Sequence, residues 1–377
     1  MPEAHPAPIG GRVAPGFEPV RVAFETNFAG GGELGAAFAV MIQDEPVVDL
    51  WGGWADRART RPWTAETIAC VFSTTKPIAA LALARLVEEE DLDFEATVAS
   101  VWPDFAANGK GAVTIAQALS HQAGVPGFAE PIDPALWLDP PAMAAAIAAL
   151  APLWPPGTAS GYHALTIGYV VNEIVRRASG QSPAQILRED ICEPLGLDFW
   201  IGLPASEIAR NAEMQKPSRP PDFGAPTPIK RATFLTPWAG PSRDTPEWRA
   251  LAIPSANGHG TARAIARLYG AFANAGRVGD LRILGPGVFA GLSASRIEGE
   301  DLVLPARMEW AAGPMRNNNR LFGPNPQTLG HAGRGGSFGF GDPARGLSAA
   351  YVMNKQSAAL LTDARGQALI TALYACL

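Results

Sequence analysis

The chain has 377 residues, 47% apolar and 18% charged, with 36 acidic against 30 basic side chains and a net charge of −6. That balance excludes a disordered chain, and the lack of any basic run excludes a protein that tracks a nucleic-acid backbone. The length suits two packed lobes or one large α/β unit.

Residues 1–16, rich in Pro and Gly, predict an extended arm. The start Met1-Pro2-Glu3-Ala4-His5-Pro6 has no basic segment followed by an apolar stretch, so no secretory leader is expected. Apolar spacing predicts a helix over 19–28, ending at Gly30-Gly31-Gly32, and then a hairpin over 35–54 that turns at Asp44-Glu45-Pro46. A second helix is predicted over 78–90, with Ile78, Leu81, Ala82 and Leu86 on one face.

Residues 100–212 read as mainly helical. Their Ala-rich run 142–153 is interrupted by Pro152 and is too short to span a bilayer. From 214 to 247, eight of 34 positions are proline. Such a segment reads either as the wall or lid of a binding site or as a surface excursion. A helix over 262–272, capped by Asn257-Gly258-His259-Gly260-Thr261, comes next. Strands are predicted at 338–340 and 347–353, and a closing helix at 364–373.

Strand character at both ends with helices between predicts an α/β (α+β) protein. Its sheet lobe is discontinuous, residues 1–85 with 285–377, and its mainly helical lobe spans 86–284, with the site in the cleft between them. Cys70, Cys192 and Cys376 have neither disulfide nor metal-type spacing, so a reduced, cytoplasmic protein is expected.

The sharpest chemical signal is Val71-Phe72-Ser73-Thr74-Thr75-Lys76-Pro77. Proline lacks an N–H and is tolerated in the first turn of a helix, so the helix begins close to Ser73. That places Ser73 where the helix dipole favours developing negative charge, with Lys76 over the same face. A serine hydroxyl is a poor nucleophile until a neighbour takes its proton. A lysine with a lowered pKa can do so. Alone, the pattern reads more readily as a capping serine and a solvated lysine, because four-residue patterns of this kind recur by chance.

Three further segments accompany it in order. They are Leu119-Ser120-His121-Gln122-Ala123-Gly124-Val125-Pro126, Pro155-Pro156-Gly157-Thr158-Ala159-Ser160-Gly161-Tyr162-His163-Ala164, and Gly330-His331-Ala332-Gly333-Arg334-Gly335-Gly336-Ser337-Phe338-Gly339-Phe340. Together the four resemble the class C β-lactamase/DD-peptidase-like serine hydrolase superfamily, and within it the bacterial family VIII carboxylesterases. The resemblance covers nearly the whole chain.

It implies an antiparallel sheet flanked by helices plus a mainly helical lobe. It makes Ser73 the nucleophile, Lys76 the general base and Tyr162 the proton shuttle, with the backbone N–H groups of Ser73 and Arg334 as oxyanion hole. The family's Tyr-x-Asn falls on Tyr162-His163-Ala164 and its Lys-Thr-Gly on His331-Ala332-Gly333, so that asparagine and lysine are absent. Losing these polar anchors, each worth roughly 1.5–3 kcal/mol as a charged hydrogen bond, favours esters over peptides and β-lactams. The expected substrate is a small short-chain carboxylic ester, with His331 partly replacing the lysine and weak β-lactam binding left open. A β-lactamase, a D-amino-acid peptidase, a transacylase and a catalytically silent binding scaffold are the rival readings.

His163, His331 and Gly333 are candidate substrate contacts, and Trp154, Trp200, Trp238 and Trp248 candidate pocket walls. His121 and His259 read as structural. Gly335-Gly336-Ser337-Phe338-Gly339 matches the Gly-x-Ser-x-Gly nucleophile elbow, but no histidine follows it and no helix can. No metal or cofactor is expected, because the histidines lack ligand spacing and no nucleotide-binding glycine motif occurs.

Overall fold

In the computed structural model, residues 8–241 and 245–377 are described. A nine-stranded, wholly antiparallel sheet organises the chain. Its strands are β1 (Ile9–Val13), β2 (Gly35–Ile42), β3 (Glu45–Gly53), and then, from the second half, β9 to β14. The spatial order is β1-β3-β2-β14-β13-β12-β11-β10-β9. The later strands are β9 (Ile297–Glu300), β10 (Arg307–Trp310), β11 (Met315–Arg316), β12 (Leu329–Ala332), β13 (Phe338–Asp342) and β14 (Leu347–Met353). A three-stranded sheet sets β6 (Gly258–Gly260) between β4 (Ala69–Phe72) and β5 (Phe199–Ile201). A small hairpin, β7 (Arg277–Val278) with β8 (Leu281–Arg282), completes the set.

The two ends of the sequence meet at the β2–β14 pairing, with Phe38 opposite Tyr351 and Val40 opposite Ala349. Alternation along β2 feeds two cores, as a period of two requires. Phe38 and Val40 join Val20 and Phe24 of helix α1 (Glu18–Ala29) with Leu369 and Leu373 of the closing helix Ala364–Ala375. Ala37, Ala39 and Met41 face the opposite side, toward Tyr269 and Phe272. The hairpin turns through Gln43 and Asp44 with φ of +52° and +67°, the positive pair that lets a two-residue turn follow strand twist.

The arm expected at 1–16 is instead an edge strand from Ile9, paired to β3; residues 1–7 lie outside the described residues. The helix Ala262–Ala273 lies against β2, β13 and β14, with Tyr269 and Phe272 seated where Gly339 and Gly341 leave no room for a Cβ. Small residues on a strand invite a helix onto it, and their place in the sequence hides that. Of the segment expected to cap that helix, Gly258–Gly260 is strand β6, and Thr261 is the cap, its Oγ1 accepting Ala264 N–H at 3.2 Å. Among the described residues no helix is long and apolar enough to cross a membrane.

Candidate active site

The short strand β4 delivers Ser73 to the start of helix α2 (Thr75–Glu88). Phe72 at the junction takes φ +47°, a left-handed conformation that costs a residue with a Cβ roughly 1–2 kcal/mol. The kink is held from both sides. Thr75 Oγ1 donates to the Phe72 carbonyl at 2.5 Å, and Gly258 N–H donates to Thr75 Oγ1 at 2.9 Å. Helix α2 begins three residues earlier than the apolar pattern predicts. Pro77 falls among the first helical N–H positions, which have no intrahelical partner to lose. Nearly every residue from Thr75 to Leu86 is buried, so the helix is a central post rather than an amphipathic cover.

Lys76 is 6% exposed. Its ammonium donates to Ser73 Oγ at 3.1 Å and to the carbonyls of Ala164 and Ser255, both at 2.9 Å. Tyr162 OH donates to the same Ser73 Oγ at 2.6 Å, and Lys76 Nζ lies 4.7 Å from the centre of the phenol ring. Ser73, Lys76 and Tyr162, 89 positions apart at the extremes, are thus brought into one hydrogen-bonded group. Ala164, standing where the resemblance calls for asparagine, contributes its backbone oxygen instead.

The second motif braces the Tyr162 segment. His121, at φ +64°, accepts Gly161 N–H on its carbonyl at 3.0 Å and His163 N–H on Nδ1 at 3.2 Å. His163 is fully buried and spends both ring nitrogens locally. Nδ1–H donates to the Gly161 carbonyl at 2.6 Å, and Nε2 accepts Val125 N–H at 3.0 Å. Its ring points back into the loop it closes, and His163 is not among the residues that border the cavity over Ser73. Burial first, then the Lys76 charge, pushes its pKa down to about 3, so the ring is neutral.

His331 is also buried and neutral, with burial and then Lys76 lowering its pKa to about 3. Its Nδ1–H donates to the Ala332 carbonyl at 2.7 Å. Its ring lies 5.9 Å from that of Tyr162, and the residue borders the cavity. Gly333 is a packing position rather than a lining one. A Cβ there would overlap Ser337 Oγ and the Val71 carbonyl. The turn that follows carries Arg334 and two glycines at φ +86° and +123°, and Arg365 Nη2 donates to the Gly335 carbonyl at 3.0 Å.

A cavity of about 570 Å³ opens over Ser73. Tyr162, Leu304, Met315, His331, Arg334 and Leu361 border it on one side. Much of its other wall comes from the proline-rich segment, including Pro220, Pro221, Phe223, Phe234 and Leu235. Phe223 stacks on Phe234 at 4.5 Å, and Phe234 faces the Tyr162 ring at 6.5 Å. Of the two readings of that segment, the structure selects the wall. Residues 242–244 of it lie outside the described residues. None of Trp154, Trp200, Trp238 and Trp248 borders the cavity; Trp248 is in the core, and Trp238 donates its indole N–H to the Phe128 carbonyl at 2.9 Å.

Ser337 is fully buried and bonded to the Val71 carbonyl, so it faces no solvent. Trp310 and Asp301 approach Tyr162 from β10 and the segment before it, and sequence reasoning missed both because neither stands in a local motif. Among the described residues no cluster of His, Cys, Asp and Glu could hold a metal ion.

The Beta-lactamase family profile matches residues 22–372. A penicillin-binding protein homologue from Caulobacter crescentus superposes with a TM-score of 0.96 at 52% identity, covering 98% of this chain and 100% of that one. A family VIII carboxylesterase superposes at 0.91 with 42% identity and the same coverage. The esterase/beta-lactamase LipL of Mycobacterium tuberculosis (strain ATCC 25618 / H37Rv) is 34% identical across 96% of this chain and 88% of its own length. On these comparisons the chain belongs to the Beta-lactamase family, as an esterase-like serine hydrolase.

Proposed function

We propose that the protein is a carboxylesterase that hydrolyses short-chain carboxylic esters through an acyl-enzyme on Ser73. The observation that carries the reading is that one oxygen, Ser73 Oγ, receives both Tyr162 OH and Lys76 Nζ at 2.6 and 3.1 Å. A proton between two hydroxyls can sit on either oxygen, since hydrogen positions follow the network. In the reactive form the Lys76 ammonium stabilises Tyr162 as a phenolate; the phenolate takes the Ser73 proton as Oγ attacks, which leaves a serine alkoxide and a neutral Tyr162 phenol.

The alkoxide bonds to the ester carbonyl carbon, and the carbonyl electron pair moves to its oxygen. The backbone N–H groups of Ser73 and Arg334, both at the cavity, hold that oxyanion. Collapse expels the alcohol, which takes the proton from Tyr162. Water then repeats the sequence with Tyr162 as base, releasing the acid and restoring Ser73. The cleft lies between the sheet side and the mainly helical side of the molecule. Its wall of proline, leucine and phenylalanine suits the apolar groups of an ester. A family VIII carboxylesterase and LipL among the likenesses support the substrate class. LipL's name also keeps β-lactam hydrolysis as a second reading. Ala164 and His331, where the superfamily carries amide and lysine side chains, favour esters.

The test is intact-protein mass after fluorophosphonate labelling, with aryl acetate turnover alongside, for the wild type and Ser73→Ala. One adduct and turnover in the wild type, both lost in the variant, is the expected result. A variant that still labels and turns over places the nucleophile elsewhere. A chromogenic cephalosporin, assayed in parallel, separates the two substrate classes.

A further inference from the structure

We infer that Asp301 is a positioning residue for Tyr162, fixing both the backbone of the phenol and the ring against which it stacks. The inference rests on the reading of Tyr162 as the proton-handling partner of Ser73.

The carboxylate of Asp301 is buried, 8% exposed, and receives five donors. Oδ1 accepts Tyr162 N–H at 3.0 Å and the N–H groups of Val303 and Leu304, both at 2.9 Å. Oδ2 accepts Ser160 Oγ at 3.1 Å and the indole Nε1–H of Trp310 at 3.3 Å. Two elements with no sequence proximity are tied at this one side chain. The segment carrying Tyr162 is gripped at residues 160 and 162, and the return bond Leu302 N–H to the Ser160 carbonyl at 2.9 Å closes the clasp.

The second oxygen sets the surface under the phenol. Trp310 is fully buried, and its ring lies 10° from the Tyr162 plane with centroids 5.8 Å apart. Its indole N–H would otherwise be a buried donor without an acceptor, which the fold strongly disfavours. Bonded to Asp301, the indole has one orientation, and the parallel phenol inherits it. Tyr162 OH must meet Ser73 Oγ at 2.6 Å, and a phenol swings its oxygen through a large arc for a small change at Cα. A carboxylate suits the task because it accepts at both ends. An amide in its place offers an N–H₂ group to one end, where Ser160 or Trp310 already donates.

The test compares the wild type, Asp301→Asn and Trp310→Phe on an aryl acetate, with fluorophosphonate labelling rates, pH profiles and thermal melts. Wild-type labelling and turnover come first: a wild type that does neither overturns the esterase reading itself and leaves Asp301 nothing to position. With an active wild type, Asp301→Asn is expected to lower kcat and the Ser73 labelling rate together, by up to roughly 10²-fold for a displaced catalytic group. KM should change little, and the limb of the pH profile set by the Ser73–Tyr162–Lys76 group should shift. Trp310→Phe keeps the carboxylate and a flat ring but loses the tether. It should show the same kcat loss and pH shift at smaller size, and it decides the matter if Asp301→Asn does not fold. Variants that melt earlier yet keep the wild-type kcat, labelling rate and pH profile when folded overturn the inference and leave Asp301 a loop anchor.

Discussion

Ser337 Oγ donates to the carbonyl of Val71 at 3.0 Å and lies 3.3 Å from Thr74 Oγ1. The turn before β13 is thereby fastened to the chain on both sides of Ser73. The serine of the apparent nucleophile elbow is a rivet. Ser337→Ala should keep fluorophosphonate labelling at Ser73 while lowering stability by about 0.5–1.5 kcal/mol, the net worth of one hydrogen bond, since the Val71 carbonyl still accepts Thr74 N–H at 3.2 Å. Urea unfolding and intact mass check the two halves separately. Loss of labelling in a folded variant would return Ser337 to the chemistry.

Tyr162→Phe keeps the stacking on Trp310 and removes only the hydroxyl. We expect kcat to fall by about 10²–10⁴-fold, the usual range for a positioned acid–base group, with KM nearly unchanged. Stopped-flow measurement of the acylation burst reads the step directly. A variant within a few-fold of wild type would leave Lys76 to work alone.

Stability should decline in acid. His163 and His331 are held neutral in the fold, with pKa values near 3, chiefly by burial, against about 6.5 in the unfolded chain. Between those values the unfolded state binds more protons, so the stability they support is complete above about pH 6.5 and is lost as pH falls toward 3. Each contributes a slope on the order of 1.4 kcal/mol per pH unit inside that window. Urea midpoints from pH 7 to 4 should fall accordingly, and more gently in His163→Gln. A flat profile would contradict the neutral assignment.

Arg365 joins the closing helix to the turn that carries Arg334. It pairs with Glu33 at 2.9 Å and Asp363 at 2.6 Å and also donates to the carbonyls of Gly32, Gly335 and Lys355. Arg365→Met should cost about 3–5 kcal/mol, because it strands the buried Glu33 carboxylate. Chemical denaturation measures it. A loss below 1 kcal/mol would mean that Glu33 is satisfied by Tyr351 alone.

Phe234 faces the phenol from the proline-rich wall. Phe234→Ala should raise KM for butyrate and larger acyl esters several-fold, at about 25 cal/mol per Å² of lost apolar contact, while acetate changes less. Equal effects on both would separate the wall from acyl recognition.

That Ser73, Lys76 and Tyr162 are candidates is legible in the sequence because each sits in a short motif: Pro77 sets the helix start, and with it the place of Ser73. The hairpin at β2–β3 and the closing helix are legible for the same local reason, alternation and periodicity. What escapes is set across long separations. Asp301 and Trp310 reach Tyr162 only through the folded β9–β10 region. His163 adjoins a catalytic candidate in sequence, yet its ring turns toward Val125. The helix Ala262–Ala273 joins the sheet because Gly339 and Gly341 clear a bed for it, and no pattern within the helix announces that.

The pairing of β2 with β14 also bears on how the molecule is made. The β2–β3 hairpin leaves the ribosome well before β14, the partner of its open edge, is synthesised. Until then Phe38 and Val40 lack the strand that covers their flank, an apolar edge of the kind that recruits other chains. Joining ends so distant along the chain is slow, since closure entropy precedes any contact. Recovery from denaturant should therefore depend on protein concentration, with dilution favouring the native sheet over edge-to-edge aggregates.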